Sequence, residues 1–415
     1  MAWQQVKRRA QRLLLILSIL GPGLITASAD NDAPGIATYS MAGSRYGYSF
    51  LWLILWVTVG EVVIQEIAAR MGSATGKGLT DLIREEFGLK LTVLVSLGLL
   101  VANFGTTVAQ FAGMAAASEL FGVSRYIALP IVTIGIYVLV TSGSYRFVEK
   151  VLLTLSLYSV AYIVSALMTR PPWGEVLKQA LVPSIQLDPT YMLAVLATIG
   201  TTITPWGAVY MQASVADRGA TMADIKNTRI DVIFGAAMGN VVSAFVIICT
   251  AATLFMRGIA VDSAEQAAMA LAPIAGRWAE VLFGGGLMGA SVLAASVLPL
   301  ATTYAVCEVF GWERGLDHKP KEAPAFYGLF TGLIVFSMLV VLIPGLPLFP
   351  LMSLSQVANA VLLPLVLILM LRLVNNKELM GAHTNKRWLN VIASVFVVLV
   401  SLATVALFVS FKPRG

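Results

Sequence analysis

Two short runs carry residue types that do not belong in lipid. Asp30-Asn31-Asp32-Ala33-Pro34-Gly35 interrupts the apolar stretch 12–43, and Thr204-Pro205-Trp206-Gly207 interrupts the stretch 190–216. Pro34 has no N–H and biases Ala33 away from helix, and Gly35 opens dihedrals closed to other residues. The carbonyls freed around Ala29 to Asp32 each cost several kcal/mol if they face hydrocarbon, so they face protein, water or an ion. A carboxylate at that depth is expensive unless it is paired, protonated or bound to a cation. Free carbonyls and the Asp32 carboxylate together make a site for a hard cation. The competing reading is a structural kink in which Asp32 caps the second half-helix. Asp30, Asn31 and the Ala29 carbonyl flank the break. Only one aspartate of the pair is expected to face an ion, since two uncompensated carboxylates repel.

The elements that hold these runs follow from composition. Of 415 residues, 58% are hydrophobic and 12% charged, and mean hydropathy is +0.83. A soluble chain carries about twice that charge, so lipid is the solvent here. Basic residues lie in short patches between apolar runs, which argues against a nucleic-acid partner despite the net charge of +6. Cys249 and Cys307 both fall in apolar runs and support neither a disulfide framework nor a thiolate site. The basic and apolar start of the chain reads as a first membrane helix, not a cleaved signal.

Eleven spans of roughly 20 apolar residues are expected: 12–43, 48–72, 91–118, 125–143, 146–169, 190–216, 229–256, 278–311, 325–343, 350–374 and 387–411. Twenty of the 28 Lys and Arg residues fall on one side, which predicts a cytoplasmic N-terminus and an extracytoplasmic C-terminus in the cell (plasma or inner) membrane. Both histidines, His318 and His383, fall in inner loops and read as solvated. Pro34 and Pro205 are 171 residues apart, in spans 1 and 6. This is the pattern of a five-plus-five inverted repeat whose paired broken helices meet at the bilayer midplane. The fold class is therefore all-α polytopic, LeuT/APC-like, in one domain over 1–415. Repeat one covers 12–169, repeat two 190–374, and helix 387–411 is an appendage.

The residues then resemble a family. Gly21-Pro22-Gly23-Leu24-Ile25-Thr26 followed by Asp32-Ala33-Pro34-Gly35 is similar to the first helix of Nramp divalent-metal transporters, where Gly-Pro-Gly precedes Asp-Pro-Gly-Asn. Gln65 to Gly72 with Thr75-Gly76-Lys77, Val148-Glu149-Lys150, Val182-Pro183-Ser184 and Leu354 to Pro364 extend the resemblance over spans 1–10. It implies metal contacts at Asp32, at Gly35 in the place of the family Asn, at the Thr201 carbonyl, at Thr204 and at Gln356. Thr107 and Gln110 take the family's span 3 Asp and Glu. Asn359 lies near Gln356, on nearly the same face. For both amides, interhelical hydrogen bonding is the competing reading.

The departures resemble the Nramp-related magnesium transporters, a proton-uncoupled branch. Where the family has Met-Pro-His in span 6, this chain has Thr204-Pro205-Trp206. Oxygen ligands suit Mg²⁺, Ca²⁺ and Mn²⁺, whereas a thioether suits softer ions. A site short of two direct ligands keeps water, as Mg²⁺ does. Thr107 and Gln110 do not titrate near neutral pH. The expected activity is uptake of hydrated Mg²⁺, and of Mn²⁺, by alternating access without a prosthetic group, in a monomer. The alternative is a proton-coupled transition-metal transporter. A Na⁺-coupled solute carrier is disfavoured by the fixed charge of Asp32, and an intramembrane enzyme by the lack of catalytic motifs.

Glu61, mid-span 2, reads either as a secondary acid lining the ion path or as a Glu packed against a polar neighbour. Glu66 and Arg70, four apart, predict an ion pair. Leu79 to Phe87 predicts an amphipathic connecting helix.

Overall fold

The computed structural model describes residues 31–141, 160–316 and 319–410. Among these the secondary structure is helical, with α1 Ala33–Tyr46, α2 Leu51–Thr75, α3 Leu79–Phe87, α4 Leu89–Leu120, α5 Arg125–Thr141, α6 Val160–Met168, α7 Trp173–Leu181, α8 Pro189–Thr202, α9 Pro205–Asp217, α10 Ile225–Thr253, α11 Ala279–Phe310, α12 Pro324–Val341, α13 Leu348–Asn375 and α14 Arg387–Ser410. Eight helical stretches are long and apolar enough to cross a membrane. One of them, Ala33–Thr75, holds two of the expected spans, while Arg125–Thr141 is apolar but shorter. The chain is a multi-pass membrane protein. The expected first half of span 1, most of span 5 with Val148-Glu149-Lys150, and His318 lie outside the described residues.

Ala33–Thr75 is broken at Gly47, whose φ of 60° is open to glycine at little cost. A one-turn helix, Gly47–Phe50, then leads into α2. The two arms run oppositely, as their contacts on α10 show. Asn31 and Gly43 meet Gly239 and Ile247 in order, whereas Glu61 and Glu66 meet Asn240 and Arg229 in reverse. The expected span 6 is two helices, α8 and α9, separated at Ile203–Thr204. Asp188 opens α8 by accepting from the Thr190 and Tyr191 N–H groups at 3.1 and 3.0 Å. The Thr190 hydroxyl, and then the Tyr191 N–H, hold its carboxyl below the usual range.

Close backbone approach fixes the centre. A Cβ on Gly113 of α4 would sit 2.3 Å from the Ala33 Cβ and 2.6 Å from the Ser291 Oγ. A Cβ on Gly200 of α8 would sit 1.9 Å from the Gln356 carbonyl oxygen and 2.8 Å from the Ala360 nitrogen. Small residues at helix crossings are how membrane helices gain contact without a hydrophobic driving force. Here they press α1, α4, α8, α11 and α13 around the two breaks.

Toward the Thr75 end of α2, Glu66 is held by Arg70 at 3.1 Å and Arg229 at 2.8 Å. Arg70 also donates to the His383 carbonyl at 2.8 Å and to Asn385. The expected Glu66–Arg70 pair is thus one part of a junction between α2, α10 and the loop before α14. The amphipathic α3 packs its buried Leu79, Leu82 and Ile83 inward.

Candidate metal centre

The helices that follow Asp32 and Thr204 start alike. Asp32 caps α1, its Oδ1 accepting from the Gly35 N–H at 2.8 Å, with Pro34 in the first turn. Thr204 caps α9, its Oγ1 accepting from the Gly207 N–H at 3.2 Å, with Pro205 in the first turn. In each, a side-chain oxygen takes the N–H three residues on, satisfying one of the donors a helix start leaves open. The capping role expected as the alternative for Asp32 is therefore present, and it occupies one carboxylate oxygen only. The other, Oδ2, accepts from Gln110 Nε2 of α4. Asp32 is buried, at 4% exposure.

Beside this carboxylate, and at the second break, are oxygens with spare capacity. The Oε1 of Gln110 is buried with no hydrogen-bond partner among the described residues. The Thr201 carbonyl sits one turn before Pro205, whose nitrogen has no hydrogen to give it. Tyr39 and Thr202 join α1 to α8 through a 2.9 Å hydroxyl contact, so the two broken elements are held together beside the gap.

Each of the other expected residues, where described, has its own local partners. Gly35 lies buried in the first turn of α1, its N–H engaged by Asp32. Gln356 is buried on α13, donating to Ser355 Oγ at 2.9 Å and accepting from Asn359 at 3.1 Å. Asn359 also donates to Thr106 at 3.0 Å, the interhelical bond expected as its alternative role, and its Oδ1 is buried without a partner among the described residues. Thr107 returns its hydroxyl to the Asn103 carbonyl at 2.8 Å, within its own helix. Asn31 binds α10, donating to the Gly239 carbonyl at 3.1 Å and accepting from Ser243 at 3.2 Å. Ala29 and Asp30 lie outside the described residues. Trp206 packs into an apolar cluster with Leu293, Val297, Leu298 and Ala301 of α11.

Glu61 belongs to the same layer. Its Oε1 accepts from Gln65 at 2.7 Å and its Oε2 from Asn240 of α10 at 2.5 Å. Asn240 and Ser243 are not among the residues expected from the sequence. Their signal there is faint, two polar residues three apart in a span that also carries Asp231, Thr250 and Thr253, on the face that meets α1 and α2.

Among the described residues no three His, Cys, Asp or Glu side chains gather as a metal cluster. The arrangement is one carboxylate, neutral amides, a hydroxyl and the Thr201 carbonyl; the Asp32 carbonyl, expected to be free, accepts from the Ile36 N–H at 2.9 Å. Oxygen donors of this kind suit hard cations over soft ones.

Comparisons with known proteins bear on the family and the fold. The profile of the Natural resistance-associated macrophage protein-like (Nramp) family matches residues 23–410. The divalent metal cation transporter MntH of Bacillus subtilis is 27% identical over 409 residues, covering 95% of this chain and 92% of that one. The structure of the Eremococcus coleocola manganese transporter superposes with a TM-score of 0.78 at 19% identity, over 96% of this chain and 89% of the other. MhsT, bound to L-phenylalanine, superposes with a TM-score of 0.58 at 16% identity, over 91% and 98%. These likenesses place the fold among the LeuT-type transporters, the inverted-repeat architecture expected from the paired breaks. The profile spans nearly the whole chain, and the chain belongs to the Nramp family and is a transporter, not an enzyme.

Proposed function

We propose that this protein carries hydrated divalent cations into the cell, Mg²⁺ first and Mn²⁺ also, without moving protons in exchange. The observation that carries this reading is the company of Asp32. Its carboxylate oxygens meet the Gly35 N–H and the Gln110 amide, and the second break offers the Thr204 hydroxyl, where the Nramp pattern has a thioether. Oxygen donors favour hard ions. Few direct ligands leave room for the waters that Mg²⁺ gives up reluctantly.

Thr107 and Gln110 cannot exchange protons near neutral pH, and Trp206 is sunk against α11 rather than offered to the site. The membrane potential supplies the drive instead. A divalent ion gains about 4.6 kcal/mol per 100 mV, inside negative. That supports an accumulation of over roughly a thousandfold. In this reading the chain works as a monomer in the cell membrane, N-terminus inside and C-terminus outside, by rocking about the fixed site.

A second reading, proton-coupled Mn²⁺ transport, is favoured by the names of the relatives, a divalent metal cation transporter and a manganese transporter. Flux into liposomes carrying a pH-sensitive dye separates the two. Competition of Mg²⁺ against Mn²⁺ and Ca²⁺ with no acidification of the lumen is expected. Metal-driven acidification would overturn proton-free transport.

A further inference from the structure

A polar seam leaves the Asp32 centre along the contact of α10 with α1 and α2. Asn31 is tied to Gly239 and Ser243, and the next residue, Asn240, donates to Glu61, which also receives Gln65. Glu61, Gln65 and Asn240 are all buried. Both amides turn their nitrogen to the carboxylate, and that of Asn240 also donates to the Ala236 carbonyl at 2.9 Å. Their oxygens, Gln65 Oε1 and Asn240 Oδ1, are buried with no hydrogen-bond partner among the described residues. Buried acceptors left unpaired are costly, and two beside one carboxylate call for an explanation.

We infer that Glu61, Gln65 and Asn240 form a second cation station, one step beyond the Asp32 centre on the route to the Thr75 end of α2. Asn and Gln side chains carry a donor and an acceptor on one rotatable amide. In the empty state both turn their NH₂ groups to the carboxylate. When a divalent ion arrives, both rotate and present oxygen, giving a carboxylate with two amide oxygens, a donor set for a hard, partly hydrated cation. Without the ion that rotamer would set oxygen against oxygen, so occupancy itself selects it.

The next acid along α2 is of a different kind. Glu66 is already neutralised by Arg70 and Arg229, so the seam offers an ion Glu61 and then a cationic junction. Two weak stations in sequence let an ion enter without being trapped, since each arrival helps the previous ion leave.

The inference rests on the cation-transport reading, and the test separates the two. Equilibrium dialysis of the purified full chain in detergent against radioactive Mn²⁺ counts bound ions. The wild-type chain is expected to bind one more ion than Glu61→Gln, which keeps the Asp32 ion and so reports its own folding. Asp32→Ala is expected to keep the Glu61 ion while losing transport. Asn240→Asp in that Asp32→Ala background adds a carboxylate and is expected to tighten the remaining ion about tenfold, as ligand charge does in other oxygen sites. Glu61→Gln binding as many ions as wild type overturns the station. Should Glu61→Gln lose all Mn²⁺, Asn240→Asp decides, and an unchanged affinity overturns it. Full transport by Asp32→Ala would instead overturn the Asp32 centre and leave the station to be judged by its own two variants.

Discussion

Replacing Gly200 by alanine probes how tightly the second break is held. The new Cβ would lie 1.9 Å from the Gln356 carbonyl oxygen and 2.8 Å from the Ala360 nitrogen, against an ordinary contact of 3.4–4 Å. Both neighbours are backbone, so no side chain can swing aside. Relief needs α8 and α13 to part by about 1.5 Å, and overpacking of this kind costs about 1–3 kcal/mol. We expect the upper end, because neither helix can move alone: α8 is tied to α1 through Tyr39–Thr202 and α13 to α4 through Asn359–Thr106. The same displacement carries the Thr201 carbonyl and the Gln356 amide out of register with Asp32, and a misplacement of about 1 Å at a reacting centre costs on the order of a hundredfold. Thermal unfolding in detergent should show a drop of several degrees, and Mn²⁺ flux in liposomes should fall more than about tenfold. Gly328→Ala is the control. It lies in α12 with nothing within 4 Å of its new Cβ, and helix propensity there favours alanine by about 1 kcal/mol. Wild-type melting and flux in Gly200→Ala would refute the packing that positions the site.

Other substitutions act on the site and its surroundings. Asp32→Ala should abolish divalent flux while the protein still elutes as a folded species, losing about 1 kcal/mol through the missing cap; retained flux would overturn the site. Thr204→Met should raise preference for soft ions such as Cd²⁺ over Mg²⁺, read by competition in the flux assay, and an unchanged ranking would mean the second break does not set selectivity. Glu66→Ala leaves the buried Arg70 with the His383 carbonyl and Asn385. Removing one member of a buried pair costs about 3–5 kcal/mol, so a marked loss of thermal stability is expected.

Much of this architecture was readable in the chain because lipid punishes exceptions. Pro34 and Pro205 break helices wherever they stand, and Asp32 had to be answered by something at membrane depth. The expected span 6 split where its Pro205 stands, and the Glu66–Arg70 pair formed because four residues on one helix are neighbours. What the sequence could not disclose is partnership across distance. Gln110 reaches Asp32 from 78 residues away, and Asn240 reaches Glu61 from 179. No periodicity encodes such meetings; they exist only once α4 and α10 are packed. The Glu61 alternatives are open in the sequence for that reason; its amide partners include Gln65 on its own helix and Asn240 on another span.

The two helix breaks share a plan but not a charge. At one, the oxygen that fastens the first turn is a neutral hydroxyl of Thr204; at the other it belongs to the anion Asp32, the group a cation seeks. Under the proposed function an arriving ion competes with the Gly35 N–H for the same carboxyl group, and the attraction it gains loosens the start of α1. Loading and fraying of α1 are then two readings of one equilibrium, while α9, fastened by a group that cares little for charge, offers the ion nothing comparable to loosen.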